Sequence, residues 1–374
     1  MPNSTYEQDR SIYEEKMLVL PDYVQRFIRF KKRKLAPSTL KAYVSDFIEF
    51  FEWIRIEKTK GSYDSISCIP LSALEIITTG DIVEDFLNHI NDIHLLRLKN
   101  TNLKKKKIDD LKKASVNRKL SSLKSLFYWL SNIAEDENLH PLLNRNVMAK
   151  IELTKIKNDP VTKAKSLEGK ILIGEEIDYF LKFVSSAYGE LPLATLAIKK
   201  YHQNKERDLA IISLILSAGL RIAEVANLNI SDLHLSKDQV FVIRKGEKEQ
   251  FVAFSSYARK HIQVYLDIRP QRYNAPKDEQ ALFLTKQQQP YGVRMTKRGL
   301  QTMIEKYGVA FGKPLLSAHK LRHSMATRHY QRNLDIAGLK EQLGHESIET
   351  TMIYTHILST DQKDKIEKAE RNED

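Results

Sequence analysis

Cysteine is nearly missing from this chain: Cys68 is the only one in 374 residues. No disulfide can close within it, and a structural zinc site built from cysteine thiolates is excluded. A single thiol of this kind is expected to pack as a small buried hydrophobe. Long apolar runs are missing too. The longest near-apolar stretch, Leu209 to Leu220, ends at Arg221 and is too short to cross a bilayer. The opening residues, MPNSTYEQDRSIYEEK, carry too much charge for a signal peptide, so the chain reads as cytoplasmic. Internal repeats and low-complexity tracts are also wanting.

Acidic residues fall short of basic ones, 48 against 60, which leaves a formal charge of +12. An apolar fraction of 42% and a charged fraction of 29% describe an ordinary globular chain with room for two or three domains. The positive surplus points to a polyanionic partner, because phosphate contacts supply most nucleic-acid affinity. The plainer alternative is charge that serves solubility alone.

Two catalytic signatures are approached and not met. Gly308 to Pro314, GVAFGKP, has one residue too few between its glycines for a phosphate-binding loop, and Pro314 stands where Ser or Thr belongs. His319 and His323 stand four apart in HKLRH, a spacing that can hold a metal from one helix face. Lys320 takes the place of the glutamate such a site needs, and Arg322 between the histidines opposes a cation. Neither an ATPase nor a zinc hydrolase is indicated.

The first 150 or so residues read as helix. Pro37-Ser38-Thr39 opens one helix, with Leu40, Tyr43, Val44, Phe47, Phe50, Phe51 and Ile54 on its apolar face. Thr79 is expected to cap a second, with Ile82, Val83, Phe86, Leu87 and Ile90 inward, and Ser115 to begin a third. Nine basic residues fall between Leu103 and Lys124, against two acidic ones. Such runs are usually a solvated face, but Lys104, Lys105, Lys106, Lys107, Arg118, Lys119 and Lys124 also suit a stripe along a phosphate backbone. From Ile151 to Lys170 the hydrophobic period lapses, lysines alternate with small residues, and Pro160 interrupts helix: an extended basic linker. Farther on, QVFVIRKGEKEQFVAF reads as two short strands around a Gly-containing turn.

Several residues beyond the linker suit phosphate chemistry. Ser317 is placed to cap a helix, with His319 in its first turn and Arg322 one turn on. The positive helix end and a guanidinium fork both favour a phosphate there, and an imidazole exchanges protons near neutral pH. Arg221 follows Ala218-Gly219 at the end of an apolar helix and should be partly buried; Glu224 can orient it. Lys245 occupies the hairpin turn, where Lys248 has the same standing on spacing alone. His345 follows Leu343-Gly344, and Tyr354 follows nine residues later. Each signal has a bland counterpart: a surface arginine, a structural Arg–Glu pair, a solvated turn lysine, a packed aromatic.

Taken in order, Arg221 in SAGLR, Lys245 in a hairpin turn, His319-x-x-Arg322, His345 after Leu343-Gly344 and then Tyr354 resemble the tyrosine recombinase (phage integrase) family. Asn204 to Leu233 and His319 to Tyr330 are similar to the Xer recombinases, the XerS group in particular, as is the length of Tyr188 to His202. The resemblance spans nearly the whole chain. It implies a mainly α fold with a small β-hairpin or sheet, in a two-domain architecture that clamps DNA. Residues 1–150 would form a helical core-binding (SAM-like) DNA-binding domain, 151–170 a basic linker, and 171–374 the catalytic domain with a C-terminal tail.

The same resemblance implies the chemistry. Tyr354 is the nucleophile, Arg221 and Arg322 bind the non-bridging oxygens of the scissile phosphate, and His319 takes or positions the tyrosine proton. Lys245 protonates the leaving 5′ oxygen, and His345 supports the phosphate. A 3′-phosphotyrosyl ester results, with no cofactor and no metal ion. The partners would be a double-stranded DNA site and further copies of the chain in a tetramer, with Ile357 and Leu358 as anchors for tail docking. Chromosome dimer resolution, and with it chromosome partition during the cell cycle, is the role implied. A mobile-element integrase would use the same chemistry. Readings of another kind are a type IB topoisomerase, a metal-dependent nuclease and a DNA-binding accessory protein without chemistry.

Overall fold

The computed structural model describes residues 5–98, 105–154, 160–244, 248–286 and 290–357. The chain divides into two compact units, one within Tyr6–Lys157 and the other from Asn158 onward.

The first unit is helical: α1 (Thr5–Lys16), α2 (Asp22–Lys31), α3 (Pro37–Trp53), α4 (Ser72–Glu75), α5 (Leu87–Leu98) and α6 (Lys105–Asn132). Pro37 stands at the start of α3, where its missing N–H costs nothing. Leu40, Val44, Phe47, Phe50 and Phe51 are fully buried along it, as expected. They meet the stripe Leu120, Leu123, Leu126, Phe127 and Leu130 of α6. Edge-to-face aromatics such as Phe50 on Phe86, with centroids 5.0 Å apart, fill the space between helices.

Four local expectations change. Ser115 lies in the interior of α6, which begins ten residues earlier at Lys105. The cap before α5 is Thr78, whose Oγ1 accepts from the Asp81 backbone N–H at 3.1 Å. A π-helical turn over Asp81–Phe86 shifts the phase, so Ile82 and Phe86 are buried while Val83 is 48% exposed. Cys68 is exposed, because it sits in a short 3-10 turn whose inward position is taken by Ile66.

The second unit carries α7 (Pro160–Leu167), α8 (Glu176–Ser185), α9 (Thr195–Ala218), α10 (Ile222–Asn227), α11 (Ser256–Arg272), α12 (Lys297–Ala310), α13 (Ala318–Asn333), α14 (Ile336–Leu343) and α15 (Glu349–Ile357). Strands β1 (Leu233–His234), β2 (Gln239–Ile243) and β3 (Glu249–Ala253) form an antiparallel sheet in that order, and β4 (Leu284–Thr285) pairs with β5 (Val293–Arg294). The expected hairpin is β2–β3, with Val240 opposite Val252 and Ile243 opposite Glu249. Helix α9 is the hub of this unit: its residues 210–216 are all buried, between α8, α11 and α13.

The stretch expected to be an extended linker is partly helix. Pro160 opens α7 instead of interrupting one, and Ala164 and Leu167 join Ile171 in a small apolar cluster with Leu339, Leu343, Ile353 and Tyr354. Lys163 and Lys165, on either side of Ala164, mask this pattern, since the apolar side is only one residue wide per turn.

Two glycines let the second unit close. Gly219 ends α9 at φ +67°, and a Cβ there would lie 2.9 Å from Leu343 Cδ2 and 3.1 Å from Met325 Sδ. Gly344 ends α14 at φ +61°, and a Cβ would lie 2.7 Å from Arg244 Nε. Gly312 has φ +83° with open space around it. Gly312→Ala therefore meets backbone strain alone, about 1–2 kcal/mol, whereas Gly219→Ala adds overpacking of about 1–3 kcal/mol. Urea unfolding of the two variants should rank them in that order; equal losses would refute the close-packing argument.

Candidate active site

The site is assembled on the C-terminal end of α14. A helix leaves its last carbonyls without backbone partners and carries partial negative charge there. In this protein three guanidiniums fill that role. Arg322 donates to the Leu343 carbonyl at 2.7 Å and to the Gly219 carbonyl. Arg244 donates to Leu343 and Gln342, each at 2.8 Å, and its Nε donates to Gln250 Oε1 at 2.9 Å. Arg221 reaches the Gly344 carbonyl at 3.3 Å.

Glu224 is the buried counter-charge. One carboxylate oxygen accepts from Arg221 Nη1 at 2.9 Å; the other accepts from the Arg221 backbone N–H at 2.8 Å and lies 3.5 Å from Arg244 Nη1. One carboxylate among three guanidiniums leaves the cluster with a surplus of positive charge. Burial and the neighbouring Arg221 push the Arg322 guanidinium down to about 10, far below an ordinary arginine. An anion arriving here relieves that strain. Arg221, whose side chain is 37% exposed, is the arginine most open to such an anion.

Tyr354 is 1% exposed and lies in the apolar cluster with Met325, Ala326 and Ile353. Burial raises its hydroxyl above the ordinary phenol value. Its hydroxyl contacts His323 Nδ1 at 2.9 Å, and His323 Nε2 lies 3.0 Å from His319 Nε2. His345 Nδ1 is 3.0 Å from the Thr351 hydroxyl, which itself is fully buried.

Arg221, His319, Arg322, His345 and Tyr354 are thus gathered in the second unit, around the end of α14. Lys245 lies outside the described residues. Its hairpin is closed below the tip by the Arg244 N–H donating to the Lys248 carbonyl at 2.8 Å, and Lys248 is exposed. Arg244 is a member of the site that sequence reading missed. The signal was present: Val240 and Val242 face inward on β2, and a period of two puts Arg244 on the same side. His323, considered from sequence only as half of a metal pair, is the residue that touches Tyr354. Among the described residues no group of three or more His, Cys, Asp or Glu is placed to hold a metal ion, and no helix is long and apolar enough to cross a membrane.

The candidate DNA contacts of the first unit divide. Lys119 is 5% exposed at its side chain and ion-paired with Glu49, so its charge is used inside the unit. Arg118 is paired with buried Asp46 yet keeps a side chain 46% exposed. Lys124 is half-buried on α6. Lys104 and the side chains of Lys105, Lys106 and Lys107 lie outside the described residues, as does Leu358; Ile357 packs partly buried against the cluster around Tyr354.

A buried tyrosine hydroxyl on an imidazole, beside arginines held ready for an anion, defines a class: an enzyme that transfers phosphoryl groups through tyrosine. Comparison with known proteins narrows it. Residues 193–360 match the phage integrase family. The chain is 33% identical to the tyrosine recombinase XerS of Lactococcus lactis subsp. cremoris (strain MG1363) over 350 residues, covering 93% of this chain and 95% of that protein. It is 35% identical to the tyrosine recombinase XerS of Streptococcus pneumoniae (strain ATCC 700669 / Spain 23F-1) over 355 residues, with the same coverage. The fold resembles that of the XerH site-specific recombinase bound to a palindromic difH substrate after cleavage, with a TM-score of 0.59 and 20% identity over 91% of this chain and 82% of that one. The chain belongs to the tyrosine recombinases of Xer type, and it is a site-specific recombinase that cleaves and rejoins DNA.

The neutral histidines of the site carry a pH dependence of stability. Burial holds His323 down to about 3 and His345 down to about 4, with the nearby charged groups adding to the effect. A free imidazole titrates near ~6.5. As pH falls below that value the unfolded chain takes up protons that these two histidines refuse, so stability declines between about pH 6.5 and about pH 4. Urea midpoints should therefore drop from pH 7.5 to pH 5, and a His323→Gln, His345→Asn double variant should drop less. An unchanged slope in the double variant would count against the assignment.

Proposed function

We propose that this recombinase resolves chromosome dimers, acting in the cytoplasm as a tetramer on a double-stranded DNA site. Tyr354 attacks the scissile phosphate and forms a 3′-phosphotyrosyl ester. Arg221 and Arg322 bind the two non-bridging oxygens, on which negative charge concentrates in the transition state. His345 supports the phosphate, and Lys245 gives a proton to the leaving 5′ oxygen. Because the ester conserves the energy of the phosphodiester, the 5′ hydroxyl of another strand reverses the step without ATP. The single observation that carries this reading is the contact of the Tyr354 hydroxyl with an imidazole beside the arginines at the end of α14. Similarity to XerS along 93% of the chain supports the Xer role.

Exposed basic groups such as Arg118 would contribute to DNA affinity, and the tail would dock on a neighbouring copy. The test is capture of host DNA. Incubated with sheared genomic DNA and denatured in SDS, the wild type should retain covalent DNA, and Tyr354→Phe none. Sequencing the retained DNA should return one locus near the replication terminus. Ends of an inserted element would replace dimer resolution by integration, and equal retention by both proteins would remove Tyr354 as nucleophile.

A further inference from the structure

Tyr354, His323 and His319 form a line from the interior to the surface. The tyrosine is 1% exposed, His323 is half-buried and His319 is exposed. The two rings stand edge to face with centroids 4.4 Å apart, one turn apart on α13. A contact of 3.0 Å between two Nε2 atoms is a hydrogen bond only when one nitrogen carries a proton and the other does not. If the tyrosine hydroxyl donates to His323 Nδ1, then His323 holds its own proton on Nε2 and donates it to His319. His319 in turn holds its proton on Nδ1. Both contacts are satisfied by that arrangement and equally by its reverse, in which His319 donates to His323 and His323 to the tyrosine oxygen. A proton moving along the line converts one polarity into the other.

We propose that His323 takes the proton of Tyr354 and hands a proton on to His319, so that the two imidazoles act as a relay. This rests on the reading of Tyr354 as nucleophile. As Tyr354 Oη bonds to phosphorus, the bond from phosphorus to the 5′ oxygen breaks. The phenolic proton passes to His323 Nδ1 while the Nε2 proton of His323 passes to His319 Nε2. The 5′ oxygen leaves with its electron pair and takes a proton from the general acid. Religation runs the same transfers backwards.

The positions of the groups explain why two histidines are used. Burial, and after it His319, Lys320, Arg322 and His345, disfavour a positive charge resting on His323. His319 is exposed at the surface end of the line. Although burial, Lys320, Arg322 and Arg221 also disfavour a charge on it, it is the imidazole that solvent and the anionic phosphate can reach to offset them. A single imidazole cannot both touch a buried phenol and present its charge there.

The experiment is single-turnover cleavage of a nicked duplex carrying the captured site, with DNA binding measured in parallel. Asn keeps an acceptor near the position of Nδ1 but relays nothing. His323→Asn and His323→Gln should bind DNA as the wild type does and lose about 100-fold or more in cleavage at pH 7, with the deficit shrinking as pH rises toward 9.5 and hydroxide takes the proton. Wild-type rates in both variants, or a deficit independent of pH, would overturn the relay. An arm that needs no variant uses wild type on a substrate with sulfur as the 5′ bridging atom, whose departure requires no proton. In mixtures of light and heavy water its rate should follow a curved dependence, two protons being in flight; a straight line would overturn the relay. A wild type that forms no Tyr354 adduct at all removes the functional reading along with it, whereas one that cleaves and is matched by His323→Asn removes the relay alone.

Discussion

The C-terminal end of α14 is the feature on which the site depends. Carbonyls of Gln342, Leu343 and Gly344 accept from Arg244, Arg322 and Arg221, which arrive from three other places in the chain. Unpaired carbonyls at a buried helix end would be costly, and unpaired buried guanidiniums costlier still. Each solves the other's problem. The exchange is incomplete by design, because carbonyls carry only partial charge and Glu224 offers one full negative charge to several cations. What remains is positive potential fixed in space, with no reorganisation needed when a phosphate arrives.

The two glycines follow from the same constraint. Arg322 reaches the Gly219 carbonyl only because α9 ends in a left-handed residue without a Cβ, packed against Leu343 and Met325. Gly344 is bare where the Arg244 side chain crosses it. Arg244 therefore joins the base of the β2–β3 hairpin to the helix end that holds Arg322. The hairpin carrying Lys245 and the arginine cluster are joined through one buried side chain.

Tyr354 belongs to a different environment. It lies in an apolar cluster in which α7 supplies Ala164 and Leu167, and its hydroxyl is its one polar contact with the line of histidines on α13. Apolar packing positions the ring and raises the proton affinity of its oxygen, so a base must be in direct contact. Packing and proton transfer are handled by opposite ends of one side chain.

Much of this was legible in the sequence. Hydrophobic period placed the helices around Leu40 and Leu120, the hairpin, and the apolar helix ending at Arg221, since these signals are local and repeat every turn or every second residue. The order of Arg221, His319-x-x-Arg322, His345 and Tyr354 was enough for the family. Periodicity erred where a π turn shifted the phase at Val83, where lysines hid the narrow apolar side of α7, and where Ser115 looked like a cap inside a longer helix. What only the tertiary structure decided is which groups meet: that Tyr354 touches His323 and not His319, that Arg244 completes the cluster, and that Lys119 is spent on Glu49. The physical reason is distance along the chain. Residue types and spacing fix the face a side chain presents, but a contact such as that of Arg221 with Gly344, 123 residues apart, depends on how the intervening elements pack.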